Sequence, residues 1–524
     1  MFAAPTTDQI HALARHLGLT LSPEDILVYR RALTEQLGAM EAFLNERLDE
    51  SPPELRYPVR GPGERPSEES DPYNAWVWRC DIGGSTEGLL AGKTVSFKDH
   101  IEVAGLPVSW GSKVLDDVIA SVDASVVERV LAEGGRVVGK NTHHGFSGLR
   151  SIGGGLGDYW DAVNPRNPVR QAGGSSSGPA AAVAAGDVDI AIGGDQGGSI
   201  RQPAAHCGIL GLKPTFGLVS HAGAFYGGEP SIDHLGPMAR TVEDIALALQ
   251  AVAGYDGRDS RQGRDIPDSI DVLSPLHTGV RGLRVGLLDE GFSAPHDERI
   301  TQAVVETVEA LRDAGAIVST VSVPEHHSVL APAGALQLAG FRAVRGAGPF
   351  VLERDDHVPL ALVAAMNRAW TDHADQMAAY LKLSWMLGEF AHRTFRGTVY
   401  AKAHNVRRSF VRAYDRALRE VDVLAMPTCL ALAPVVDGPG EFRQAWRREI
   451  DVLAEVFPHY RNVQPFNYTG HPALAVPCGE VDGTPISVQL VGKALDEATL
   501  LRVAKAITST SSASPSHLTK ERHD

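Results

Sequence analysis

Only four of the 524 residues are cysteine, and Cys80, Cys207, Cys429 and Cys478 lie far apart with no C-x-x-C pair. The spacing builds neither a disulfide framework nor a zinc or thiol redox motif, so we expect reduced thiols and a cytoplasmic protein. Long apolar stretches are also missing. No run of about 18 apolar residues occurs, which excludes an ordinary membrane-spanning helix. The first residues, MFAAPTTDQIHALARHLG, lack the basic start and apolar stretch of a secretion signal. Positive charge is in deficit: 49 Lys and Arg against 64 Asp and Glu leave a formal charge of -15. That balance repels nucleic acid and anionic membranes while favouring solubility. With 43% apolar and 22% charged residues the chain is neither disordered nor fibrous, and it can bury a sizeable core.

Glycine is what the chain has in excess. Of 54 glycines, 20 fall in the 84 residues from Gly145 to Gly228 and 34 in the other 440. That stretch holds a large amount of special backbone.

The remainder divides by pattern. From Thr7 to about Leu48 apolar residues recur at helical spacing, and Ser22-Pro23-Glu24-Asp25 supplies a cap, an N1 proline and early acids. Residues 49–75 are too rich in proline, glycine and charge for helix or ladder. Thr94–Lys98 then alternates as a strand, Ala124–Glu133 reads as an amphipathic helix, and Arg136-Val137-Val138 as a strand. The rhythm returns at 283–323, and 421–428 and 485–492 read as further strands. Between 324 and about 420 long helical patterns dominate. At roughly 150 residues per domain the length suggests three or four domains. The pattern favours one large α/β core, with an N-terminal helical arm and strap (1–88), a first core segment (89–323), a helical insertion (324–419) and a second core segment (420–524).

Three motifs mislead. EGLLAGKT (87–94) approaches a phosphate-binding loop, but Glu87 replaces its first glycine and a strand follows Lys93. Gly174-Ser175-Ser176-Ser177-Gly178 satisfies the hydrolase elbow G-x-S-x-G, yet NPRNPVRQAG before it is no buried strand. Twenty histidines, including His143-His144 and His326-His327, show no H-E-x-x-H or comparable ligand spacing, so we expect no metal and no cofactor.

The segment DIAIGGDQGGSIRQPAAHCGILGLKPT (189–215) carries more chemistry. It runs from an apolar strand into glycines that flank Asp195-Gln196 and end on Ser199. Such a loop is either a tight structural turn or a nest of backbone amides for an oxyanion, with Ser199 as attacker. A serine nucleophile needs a base. Lys98 ends a strand on its polar face, where burial would keep its amine neutral; alone, such a lysine is more often salt-bridged.

Together, GKTVSFKDHIEVAGLPVSWGS (92–112), GGSSSGPAAAVAAG (173–186), GGDQGGSIRQPAAHCGILGLKPT (193–215) and TGHPALAVPCG (469–479) resemble the amidase signature family of serine hydrolases. The 24-residue separation of Ser175 and Ser199 agrees with that pattern. DQGGS and SIDHLGPMARTVED (231–244) are similar to amidases associated with nitrile degradation. The resemblance implies a large central mixed β-sheet covered by helices and a Ser-cis-Ser-Lys triad. Ser199 would be the nucleophile, Ser175 the bridging proton carrier and Lys98 the base. Backbone amides of Gln196, Gly197, Gly198 and Ser199 would form the oxyanion hole, while Ser176, Asp195 and Arg201 support the loop. The implied reaction is hydrolysis of a small-molecule carboxylic amide through an acyl-enzyme. Carbamate or aryl-acylamide cleavage is the alternative, and glutamine hydrolysis within a tRNA-dependent amidotransferase is less favoured. We expect a homodimer.

Against the family's common residues, Gln196 stands for threonine, His100 for asparagine, and Gln202 and His206 for apolar side chains. A thiol role for Cys207 is disfavoured by its packed surroundings. The expected pocket walls are Phe146–Tyr159, Gly223–Gly228 and the insertion, whose Phe341, Trp370, Tyr380, Trp385 and Phe390 read as helix core.

Overall fold

The computed structural model describes residues 3–61, 63–115, 118–147, 161–226, 228–293, 296–347, 357–436 and 458–510. Met1–Pro53 forms one compact unit and Glu54–Asp524 another. The first holds α1 (Thr7–His16) and α2 (Pro23–Asn45). Each starts with a capping box, Thr6 with Gln9 and Ser22 with Asp25, which satisfies amide donors that a helix start leaves unpaired.

In the second unit, short apolar segments alternate with helices and assemble one mixed sheet. Its strands are β1 (Trp76–Ile82), β2 (Thr94–Lys98), β3 (Arg136–Asn141), β4 (Ile190–Asp195), β5 (Leu210–Lys213), β6 (His234–Ala239), β7 (Arg284–Leu288), β8 (Ile317–Val321), β9 (Val423–Pro427), β10 (Ala473–Val481) and β11 (Thr484–Gly492). They lie in the order β1-β3-β2-β4-β6-β5-β10-β11-β9-β7-β8. The neighbours β3, β2 and β4 run parallel, whereas β6 returns antiparallel to β4. Such a sheet needs helices on its faces. On one face Val95, Phe97, Leu474 and Leu490 pack with Val127 of α3 (Ser125–Ala132), Leu249 of α6 (Val242–Val252) and Leu500 of the last helix (Glu497–Thr510). Burying each such side chain contributes about 1.5–3 kcal/mol before entropy is counted. On the other face the alanines of α4 (Ser177–Ala185) and Ala204 of α5 (Arg201–Cys207) lie against Ala191, Met238 and Ala475. Small side chains here let both helices approach the sheet closely.

Two features depart from the pattern read in the sequence. The sheet begins at Trp76, so residues assigned with the strap before 89 belong to its edge strand. And β6 carries Pro237 in mid-strand, opposite Ile192 of β4; proline in a central strand argues against one from sequence alone. Beyond α7 (Glu298–Glu309) and β8, helices replace strands: α8 (Leu330–Ala347), α9 (Leu360–Asp372), α10 (Ala379–Phe395) and α11 (Thr398–Glu420). The short α12 (Gln464–Thr469) precedes β10, and the last helix is α13.

Candidate active site

In the parallel pair β2 and β4, Phe97 is level with Ile192, so Lys98 ends β2 beside Gly193 and β4 runs on two residues to Asp195, which places both side chains at the carboxyl ends of their strands. In open α/β sheets that is where ligands bind. Lys98 is 1% exposed, and its Nζ lies 2.7 Å from Ser175 Oγ. Burial holds the Lys98 ammonium down to a pKa of about 7, against the carboxylates of Asp233 and Asp195, which favour its charged form. The amine is therefore substantially neutral at physiological pH.

Ser175 sits two residues before α4, after a cis Gly174–Ser175 peptide. Its approach is tight: a Cβ placed on Gly174 would lie 2.1 Å from the His144 ring, so any larger residue would have to displace that side chain. The Gly174 amide donates to Gln202 Oε1 at 3.0 Å, which gives one of the residues that depart from the family pattern a definite task. Ser199 stands two residues before α5. The Ser176 amide donates to the Ser199 carbonyl at 3.2 Å, and Ser176 Oγ donates to the Gly194 carbonyl at 3.2 Å, tying the two serine loops together.

Asp195 templates the loop that carries Ser199. Its carboxylate accepts from the amides of Gly198 (2.7 Å) and Ile200 (3.0 Å), from both ends of the Arg201 guanidinium (3.0 Å each) and from Asn467 Nδ2 (2.8 Å). Burial alone would raise its pKa, but the Arg201 charge and these donors hold the carboxyl well below the usual range. Arg201 is itself fully buried and spends its remaining donors on the Val463 carbonyl, Gln489 Oε1 and Asn467 Oδ1.

One expected oxyanion donor does not fit. The Gly198 amide is committed to Asp195, and Gly198 does not line the cavity. The carboxylate that shapes the turn takes that donor. Gln196, Gly197 and Ser199 do line it, and their amides have no intramolecular acceptor among the described residues. The Gln196 side chain donates to Asp233.

Lys98, Ser175 and Ser199 share one cavity of about 350 Å³. Its far wall comes from one stripe of α8 (Leu330, Gly334, Gln337, Leu338) and one of α10 (Tyr380, Leu383, Ser384, Leu387), closed by Tyr460 and Gln464. His100 lines it as well; burial, with Lys98 nearby, holds its imidazole well below the usual pKa and so neutral. Cys207 is fully buried, and burial raises its thiol, which leaves no thiolate for nucleophilic work.

Residues 78–501 match the sequence profile of the Amidase family. The chain belongs to that family. It is an amide-hydrolysing enzyme of the amidase signature type. It is 35% identical over 513 residues to an enantioselective amidase of Rhodococcus rhodochrous, covering 95% of each chain. It is 37% identical over 436 residues to a glutamyl-tRNA(Gln) amidotransferase subunit of Chloroflexus aurantiacus, covering 81% of this chain and 83% of that one. Among solved structures, the native peptide amidase of Stenotrophomonas maltophilia superposes with a TM-score of 0.65 at 30% identity, covering 80% and 83%. No helix among the described residues is long and apolar enough to cross a membrane.

For this amidase the expected pocket walls coincide with the cavity around Lys98 only in part. Ser147 lines the cavity, but residues 148–160 and Gly227 lie outside the described residues. Tyr226 faces a second, more open cavity of about 1570 Å³ instead. Phe341, Trp370 and Trp385 are helix core as expected, Tyr380 packs against that core and also lines the cavity shared by Lys98 and the serines, and Phe390 is exposed. Asp233, Tyr460 and Gln464 carried no sequence signal of their own.

Proposed function

We propose that this amidase cleaves its substrate through an acyl-enzyme on Ser199, with Ser175 and Lys98 moving the proton. The observation that carries the reading is the buried Lys98 amine, 2.7 Å from Ser175 Oγ and held to a pKa of about 7, in the cavity that Ser199 lines. Ser199 Oγ attacks the carbonyl carbon as its proton passes to Ser175 Oγ, and the Ser175 proton passes to Lys98 Nζ. The carbonyl oxygen becomes an oxyanion, met by the amides of Gln196, Gly197 and Ser199. Collapse breaks the C–N bond, the proton returns through Ser175 to the departing nitrogen, and water then releases the acid from Ser199 by the same relay.

The cavity favours an uncharged amide with an apolar acyl group. Leu330, Leu338, Leu383 and Leu387 supply apolar wall, and the one Lys or Arg among the described lining residues is Lys98, whose amine is engaged with Ser175. Glutamine hydrolysis draws support from the amidotransferase relatives, but a glutamine carboxylate would meet no free cation in this wall. Carbamates and anilides remain chemical neighbours within the same machinery.

Intact-mass measurement tests the mechanism. An active-serine phosphonate should add once to the wild-type chain and map to Ser199, and Ser199→Ala should take up none and lose about 10⁴-fold or more in kcat. Full activity of Ser199→Ala, or unchanged labelling, would overturn the reading. A panel of simple amides, anilides, carbamates and glutamine sorts the substrate classes.

A further inference from the structure

Away from the catalytic cavity, three side chains that the hydrolytic mechanism does not use converge from distant parts of the chain. His206 is the penultimate residue of α5, Cys429 lies two residues beyond β9, and His459 precedes the cavity residue Tyr460. All three are buried, at 2%, 6% and 4% exposure. One ligand atom of each, an imidazole nitrogen or the thiol sulfur, lies within 4.8 Å of the other two. The rings meet edge to face with centroids 5.3 Å apart. Neither ring nitrogen of His206 has a hydrogen-bond partner, nor does Nδ1 of His459. Buried polar groups are ordinarily paired, and leaving one unpaired costs about 1–3 kcal/mol. The Cys429 thiol makes only a long contact, 3.8 Å to the His459 carbonyl.

Two imidazoles and a thiol are borderline-to-soft donors that suit zinc, whereas magnesium and calcium require oxygen ligands. A tetrahedral ion with bonds of roughly 2.0–2.3 Å spaces its ligands about 3.3–3.6 Å apart, so small side-chain rotations close the site. The backbone beneath is already joined, since the Leu430 amide donates to the Pro458 carbonyl at 3.0 Å.

We propose that His206, Cys429 and His459 form a Zn²⁺ site that braces the catalytic cavity without taking part in the chemistry. As the ion binds, the sulfur–zinc bond replaces the Cys429 S–H bond and one proton leaves to solvent; the imidazoles release none. None of the three residues lines the catalytic cavity. The ion would still hold two of its supports: a Cβ on Gly173, two residues before Ser175, would lie 2.8 Å from His206 Nδ1, and His459 adjoins Tyr460. Sequence spacing gave no sign of this, because the donors come from three segments more than 200 residues apart at the extremes.

Cobalt(II), a spectroscopic stand-in for zinc, tests the site in the metal-stripped full-length protein. One equivalent should give a near-ultraviolet thiolate-to-cobalt charge-transfer band and visible tetrahedral bands, both removed by one equivalent of Zn²⁺. Cys429→Ser should lose the charge-transfer band, Cys80→Ser should keep it, and His459→Asn should weaken binding about 10-fold or more. Thermal midpoints of the stripped variants report whether each is folded; should Cys429→Ser fail to fold, His459→Asn and the wild-type band decide. Absence of the thiolate band in the wild type, or its persistence in Cys429→Ser or undiminished in His459→Asn, would overturn the proposal.

Discussion

Lys98 Nζ and Ser175 Oγ stand 2.7 Å apart with each residue only 1% exposed. Because burial lowers the Lys98 ammonium to about 7, the proton-accepting form predominates above that pH and is lost below it. The kcat/KM profile should therefore rise through an apparent pKa near 7 and level off on the alkaline side. Lys98→Ala should lower kcat about 10²- to 10⁴-fold and remove that limb from the residual rate. Steady-state kinetics across pH 5–9 on both proteins measures it.

Asp195 and Arg201 form a fully buried pair. Arg201→Met would strand an uncompensated carboxylate and should cost about 3–5 kcal/mol in urea unfolding, and Arg201→Lys should recover only part, because a point charge does not reproduce the fork. The Asp195 carboxyl is lowered in the folded state from its ordinary 3.8. Its contribution is thus fully present above about pH 4 and fades as pH falls below that. Acid titration of unfolding free energy should show this loss in the wild type and not in Asp195→Asn.

Adjacent glycines should respond in opposite ways. At Gly197 an added Cβ meets nothing nearer than Gln464 Cγ at 3.8 Å, whereas at Gly198, where φ is +120°, it would lie 2.3 Å from Val463 Cγ2. Gly197→Ala should keep kcat within about threefold. Gly198→Ala should lower it by 10²-fold or more, the range of a lost oxyanion donor, by displacing the amides on either side. Kinetics paired with circular dichroism separates this from unfolding.

The size limit of the acyl group should reside on α8 and α10. Leu338→Ala or Leu383→Ala, both on the cavity wall, should raise kcat/KM for bulky acyl amides relative to acetamide-sized ones by about 10-fold, the scale of a few methylenes in an apolar pocket. Competition between a large and a small amide gives the ratio directly.

What could be read in the sequence was local. Val95 and Phe97 alternate with Ser96 and Lys98, so β2 and the position of Lys98 at its end were legible; Ser199 stood out through the glycines before it, whereas Ser175 entered only through the family resemblance. The commitment of the Gly198 amide to the Asp195 side chain, three residues earlier, was not legible, because spacing does not say which way a carboxylate turns. Tyr380 packs against the helical core as expected, and its second role in the cavity wall was hidden because an apolar stripe at helical spacing looks the same whether it faces a core or a cavity. Asp233, Tyr460 and the His206–Cys429–His459 cluster depend on contacts that only the sheet order creates, with β4 and β11 four strands apart.

Arg201 also sets a timetable. Its acceptor Gln489 follows it by 288 residues and Asn467 by 266. At about 5–20 residues per second, the ribosome needs roughly 15–60 s after making the Ser199 loop before it supplies the groups that fix it. Throughout that interval the proposed nucleophile exists without its frame, so a nascent chain released before Gln489 emerges should carry Lys98, Ser175 and Ser199 and yet be inert.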